Sequence, residues 1–82
     1  MICSKTFLGQ KLKIMYENAQ YNEKVLMIHV FGIKYADIIK ENGYTANDII
    51  QASGLKTTYV TELNKGMNIS KYAIIKQEKD IF

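Results

Sequence analysis

The chain has 82 residues, of which 48% are hydrophobic and 23% are charged, and its formal net charge is +3. These values predict one globular domain over residues 1–82 and exclude a disordered chain or a two-lobed enzyme. A cytoplasmic location is expected, because the first ten residues lack the basic-then-apolar pattern of a signal peptide. The longest apolar run, Val25 to Ile33, is far shorter than the ~20 residues that span a bilayer. A single cysteine and a single histidine exclude a disulfide scaffold and a zinc finger, so no cofactor or metal is expected.

The segment from about Ser4 to Ala19 predicts the first helix. Ser4 is placed to cap its N-terminus. One apolar stripe then recurs at helical spacing, formed by Leu8, Leu12, Met15, Tyr16 and Ala19. The polar residues 20–22 end this pattern.

The next segment supports two interpretations. Its second half, Lys34 to Asn42, predicts a helix with Gly43 in position for a left-handed C-terminal cap. Extension of this helix back to about Val25 is preferred. It competes with a short strand at 24–28, because the segment is rich in β-favouring residues and an internal glycine costs a helix about 1 kcal/mol.

Two shorter helices are predicted in the second half of the chain. The first, Thr45 to Ser53, starts with a threonine three residues before Asp48, which is a capping pattern, and ends at Gly54. The second runs from Thr57 to Lys65 and is expected to stop at Gly66. After it, apolar and polar residues alternate over 67–76, which predicts a short strand.

The spacing around Gly54 is the most specific feature of the sequence. A helix, a glycine, an apolar residue, a polar turn and a second helix form the order of a helix-turn-helix unit. Leu55, Val60 and Leu63 would pack its two helices together. The stretch IIKENGYTANDIIQASGLKTTYVTELNKG, residues 38–66, resembles the Cro/C1-type helix-turn-helix of phage and bacterial repressors without a gap. The flanking FGIKYADII and KGMNISKYAII are similar to small stand-alone bacterial helix-turn-helix-like proteins.

The expected fold is therefore mainly α. It is a helix-turn-helix domain of about four helices with its motif core at 45–66. The short C-terminal strand would pair with residues 24–28, as in winged-helix variants.

The resemblance implies double-stranded DNA as the partner and a role as a small transcriptional regulator. In such repressors the second helix of the motif lies in the major groove. Carried over by position, the DNA-binding residues are Lys56, Thr57, Thr58, Thr61, Glu62 and Lys65. Lys71 and Lys76 on the predicted strand would approach the neighbouring phosphates. All eleven basic residues are lysines, so contacts with the DNA backbone are expected to rest on point charges.

Several residues have a structural interpretation beside the functional one. Glu62 either accepts a hydrogen bond from cytosine or belongs to a solvated face. Tyr59 either supports the second helix of the motif or lies beside a phosphate. His29 is expected in the core or at its boundary, because no nucleophile or set of acids accompanies it, and an enzyme is not expected.

A homodimer is expected if DNA is the target, because one small module buries too little surface for tight specific binding. The apolar stripe of Leu8, Leu12 and Met15 and the edge of the C-terminal strand are the two candidate interfaces. The alternative function is a protein-interaction module with the same fold. In that interpretation a partner binds an exposed Tyr59 or Met67.

Overall fold

The computed structural model of the protein describes residues 4–75, which form four helices. The helices are α1 (Lys5–Asn18), α2 (Lys24–Glu41), α3 (Ala46–Ser53) and α4 (Tyr59–Ile69), and a 3-10 turn at Tyr21–Glu23 precedes α2. Residues 4–75 contain no strand. Within the same residues, no helix has the length and hydropathy that crossing a membrane requires.

Helix α1 begins and ends where the sequence predicts. The Ser4 hydroxyl accepts a hydrogen bond from the backbone N–H of Phe7 at 3.0 Å, and the backbone becomes extended at Ala19. The Lys24 ammonium donates to the Tyr16 carbonyl at 2.9 Å. A cation near the last carbonyls of a helix stabilises the negative end of its dipole. Lys24, the first residue of α2, therefore stabilises the C-terminus of α1.

Helix α2 is continuous from Lys24 to Glu41, so the helical interpretation is confirmed and the strand at 24–28 is wrong. The β-favouring Ile28 and Phe31 are fully buried on the face that α2 turns to the core. Burying such a side chain is worth about 1.5–3 kcal/mol, whereas helix propensities differ by less than about 1 kcal/mol. Tertiary burial therefore decides the conformation. Gly43 follows with a φ of +74°, which confirms the predicted left-handed turn.

Gly32 lies where α2 crosses α4. A Cβ atom at Gly32 would lie 2.8 Å from the backbone nitrogen of Met67 and 2.9 Å from the Cα of Gly66. A Cβ atom at Gly66 would in turn overlap the carbonyl oxygen of His29. Close packing of the two backbones thus accounts for a glycine inside α2. It also places Gly66 inside α4, so the prediction that Gly66 ends the helix is wrong.

The connection from α3 to α4 follows the predicted order. The Thr45 hydroxyl accepts from the Asp48 N–H at 3.1 Å, and the Asp48 carboxylate accepts from the Thr45 N–H at 2.9 Å. Helix α3 ends at Gly54, whose φ of +78° favours glycine. The buried Ser53 hydroxyl accepts from the Leu55 N–H at 3.1 Å and donates to a carbonyl one turn back. The turn therefore leaves no polar group of Ser53 unpaired.

Helix α4 starts later and ends later than predicted. Thr57 and Thr58 form a turn before its first residue, Tyr59, and the helix continues to Ile69. The strand predicted for 67–76 is wrong over the described residues, because Met67 belongs to α4 and a turn follows at 70–72. Met67 lies one turn after Leu63 on the buried face. The segment 24–28, which would have paired with the strand, is helical. Residue 76 lies outside the described residues.

A single core joins the four helices. Its largest fully buried side chains are Phe31, Leu8, Leu12, Ile28, Ile39, Ile49, Ile50 and Leu63. The stripe proposed as a dimer interface belongs to this core, since Leu8 and Leu12 are 0% exposed and Met15 is 2% exposed. That interface prediction is wrong. The second one, the edge of a C-terminal strand, fails over the described residues because they form no strand.

Candidate nucleic-acid interface

Helix α4 buries one face and exposes the other. Leu63, Gly66 and Met67 face the core, and α2 lies alongside. The helical repeat places four exposed residues within an arc of about 100° on the opposite side. These are Thr61, Asn64, Lys65 and Asn68, called the outward arc below. The outward arc carries hydroxyl, amide and ammonium groups and no carboxylate.

The structure places the six residues predicted to bind DNA in three settings. Thr61 and Lys65 belong to the outward arc. Lys56, Thr57 and Thr58 are exposed in the turn that leads into α4. Glu62 is half-buried beside the arc and is held by other side chains. The outward arc thus contains two of the six predicted residues, and the preceding turn contains three.

Asn64 and Asn68 were missed by the sequence interpretation. Carrying positions over from the repressor motif covered the first turns of α4 and stopped at Lys65. The helical repeat would have indicated both residues, because they follow Thr61 by three and seven positions and therefore lie on the same face of the helix. Both are exposed, outside the buried face formed by Leu63, Gly66 and Met67.

Glu62 connects α4 to α2. The His29 Nε2 donates to Glu62 Oε1 at 2.7 Å, and the Lys65 Nζ lies 3.6 Å from Oε2. The hydrogen bond from His29 holds the pKa of Glu62 below its usual value. The side chain of His29 is 26% exposed, which confirms its predicted place at the core boundary. The side chain of Lys65 remains 59% exposed, so its ammonium stays accessible to an anion.

Tyr59 supports the start of α4. Its hydroxyl lies 2.8 Å from that of Tyr16, and the two ring centroids are 5.4 Å apart. This hydrogen bond and burial raise the pKa of Tyr16. Tyr59 is half-buried and Met67 is only 7% exposed, so the prediction of two exposed partner-binding residues is wrong.

The titratable side chains of the described residues are dispersed. Across residues 4–75, no group of three or more His, Cys, Asp or Glu side chains is placed to hold a metal ion.

A groove of about 150 Å³ lies between α2 and the segment after α4. Ile33, Lys34 and Asp37 line one side, and residues 70 and 73–75 line the other.

The order of four helices with a left-handed turn at Gly54 is that of a helix-turn-helix domain, and a comparison with known families agrees with it. The family model described as "HTH-like domain" matches residues 4–76. The chain belongs to this helix-turn-helix-like family. No curated protein and no solved structure gives a significant match to the chain. The match confirms the helix-turn-helix class rather than the Cro/C1 type within it.

Proposed function

We propose that this HTH-like domain binds double-stranded DNA through α4 and acts as a small cytoplasmic transcriptional regulator of the repressor type, without catalysis. The outward arc carries the proposal. It combines hydrogen-bonding groups with a lysine on the second helix of the motif, and it presents no carboxylate to repel phosphate. Side chains of these types contact both phosphates and base edges in DNA complexes.

Three contacts fix α4 before any ligand arrives. The Tyr16–Tyr59 hydrogen bond holds its first residue, and the His29–Glu62 hydrogen bond holds its first turn. The glycine-lined crossing holds its second half against α2. A helix held in this way loses little conformational freedom on binding, which favours affinity.

Lysines supply the attraction to phosphate. Lys56 precedes α4, Lys65 lies on it and Lys71 follows it. With about three or four phosphates neutralised, the logarithm of the binding constant should fall with the logarithm of salt concentration at a slope of roughly −3 to −4. These contacts are to the backbone, so they strengthen binding to every sequence.

A titration with mixed-sequence duplex at low salt tests the proposal. Lys56→Ala and Lys65→Ala should each weaken binding to all sequences and flatten the salt slope by about one unit. Lys13→Ala is the matched control, because Lys13 is exposed on α1, which packs against α2 and α3. Its slope should equal that of the wild type. No binding at about tens of micromolar protein would refute DNA binding, since even non-specific binding falls in that range.

We also propose that two copies bind DNA together. An apolar stripe lies on the outer face of α2, formed by Leu26, Val30 and Ile33 at helical spacing, and Leu26 is 50% exposed. Lys34 and Asp37 border the same face and line the adjoining groove. Charges of both signs beside an apolar stripe suit a second copy, because any contact between Lys34 of one copy and Asp37 of the other occurs twice in a two-fold interface.

Sedimentation of the protein with and without duplex tests the dimer. Leu26→Asp should yield a monomer, whereas Ile14→Asp on α1 should not, although Ile14 is equally exposed at 47%. A wild-type monomer at high protein concentration in both conditions would contradict the dimer. The α2 stripe also favours the second candidate function, a protein-interaction module. That function predicts no salt-dependent binding of duplex and a protein partner lost in Leu26→Asp.

A further inference from the structure

Two asparagines stand one turn apart on the outward arc. Asn64 and Asn68 are both exposed, and their separation of four positions corresponds to a rise of about 6 Å along α4. Thr61 lies on the same arc, one turn before Asn64. The arc therefore offers two amide groups in a row, with a hydroxyl and a methyl group beside them.

An asparagine amide has the donor and acceptor that match one base in the major groove. Its N–H donates to N7 of adenine and its oxygen accepts from the N6 amino group, whereas guanine is matched by arginine or lysine. The chain has no arginine, and the lysine on the arc lies 3.6 Å from Glu62. The Thr61 methyl group suits the thymine methyl group.

Glu62, the acidic residue of α4, lies outside the outward arc that would contact the bases. A carboxylate on the arc would select cytosine by accepting from its amino group. Glu62 instead accepts a hydrogen bond from His29 of α2 at 2.7 Å, beside the arc rather than on it. Arginine is thus absent from the chain, the carboxylate of Glu62 is held by His29, and Lys65 is the phosphate contact of the proposed function.

We propose that Asn64 and Asn68 read adenine, so that the domain prefers duplexes with A·T pairs at two positions in each half-site. This inference rests on the proposed DNA binding. Base pairs are stacked about 3.4 Å apart, so amides about 6 Å apart on a helix lying along the groove address positions about two base pairs apart.

Competition between two duplexes that differ only in the central pairs tests the proposal. The A·T duplex should bind about tenfold or more tightly than the G·C duplex, since one bidentate contact discriminates by roughly five- to a hundredfold. Asn64→Ala and Asn68→Ala should each reduce this ratio, and the double variant should bring it near one. Gln10→Ala, which removes an exposed amide from α1, should leave the ratio unchanged. The salt slope should stay constant in all of these variants.

Replacing adenine by 7-deaza-adenine sharpens the test, because it removes N7 from the major groove and leaves the minor groove intact. The wild type should bind the modified duplex less tightly, and the double variant should bind both forms equally. Alanine favours helix at both positions, and circular dichroism checks that each variant is folded.

Three results would overturn the inference, and they are distinguishable. Equal affinity of the wild type for the A·T and G·C duplexes would refute base selection and leave DNA binding intact. An A·T preference that persists in the double variant would show that DNA shape, rather than the amides, is read. Absence of binding to either duplex would refute the DNA-binding function itself.

Discussion

Replacing Gly32 by alanine should force α2 and α4 apart. In an ordinary helix this change is favourable, because alanine is about 1 kcal/mol better than glycine in a helix interior. Here the new Cβ atom would meet backbone atoms of Gly66 and Met67 rather than flexible side chains. Helix propensity and packing therefore predict opposite signs for one substitution, which makes the experiment informative.

The distances at the crossing give the expected loss of stability in Gly32→Ala. The closest atom, the Met67 nitrogen, would lie 2.8 Å from the Cβ atom, so the helices must separate by about 0.6 Å to restore ordinary contact. Overpacking of a dense core costs about 1–3 kcal/mol. The upper part of that range applies here, because backbone atoms move away from a clash less easily than flexible side chains do. After the propensity gain, the free energy of unfolding should fall by about 1–2 kcal/mol. For a domain of this size the melting temperature should fall by roughly 5–15 °C.

Thermal and denaturant unfolding followed by circular dichroism measures this change. Lys40→Ala is the control, because Lys40 is exposed on the same helix and its replacement by alanine creates no clash. Gly66→Ala should destabilise the protein in the same way. A Gly32→Ala protein more stable than the wild type would refute the close crossing of α2 and α4.

Three further predictions concern the contacts that hold α3 and α4. Thr45→Ala removes the cap of α3 and should lower the free energy of unfolding by about 1 kcal/mol in denaturant titrations, whereas Thr45→Ser should retain most of it. The pKa values of Asp48 and Glu62 lie below their ordinary values of 3.8 and 4.5, because Thr45 and His29 respectively bind the carboxylates. The stability that these two carboxylates confer should be complete above about pH 5 and should decline as the pH falls through their lowered pKa values. Glu62→Gln should weaken the dependence of the unfolding free energy on pH. A pH profile identical to that of the wild type would contradict the role of Glu62. Tyr59→Phe removes the hydroxyl bound to Tyr16, so the pKa of Tyr16 should fall in an absorbance titration, and no change would argue against that hydrogen bond.

The parts of the fold that the sequence predicts are those with local causes. The Ser4 cap, the Thr45–Asp48 capping box and the glycine turns at 43 and 54 each depend on residues within one helical turn. Such signals can be recognised without knowledge of the rest of the chain. They placed α1, α3 and the turn between α3 and α4 correctly.

The errors in the fold occurred where distant contacts overrule local patterns. The alternation after Gly66 resembles a strand, but Met67 continues the buried face of Leu63 and extends α4 to Ile69. Gly66 resembles a helix end, but it is the contact point with His29. Neither fact is visible until α2 and α4 are known to cross there.

The candidate site shows the same division. Thr61 and Lys65 were predicted from the motif, and Asn64 and Asn68 follow from the helical repeat once the buried face of α4 is known. The hydrogen bond that draws Glu62 to the side of α4 involves a histidine 33 positions earlier in the chain. No pattern within the motif could indicate this contact. The predicted dimer stripe failed for a related reason, since apolar spacing identifies a buried face without saying what covers it.

Three residues that conflict with their local surroundings contribute to the same contact. Gly32 is unfavourable within α2, Gly66 is unfavourable within α4, and Glu62 is an acid on a helix proposed to bind phosphate. Each contributes to the contact between α2 and α4. A sequence tolerates local conflict where a long-range contact compensates it. Contacts of its buried face therefore fix the position of α4. Its exposed face carries no side chain that the core requires, so Thr61, Asn64 and Asn68 can contact a ligand without loss of packing.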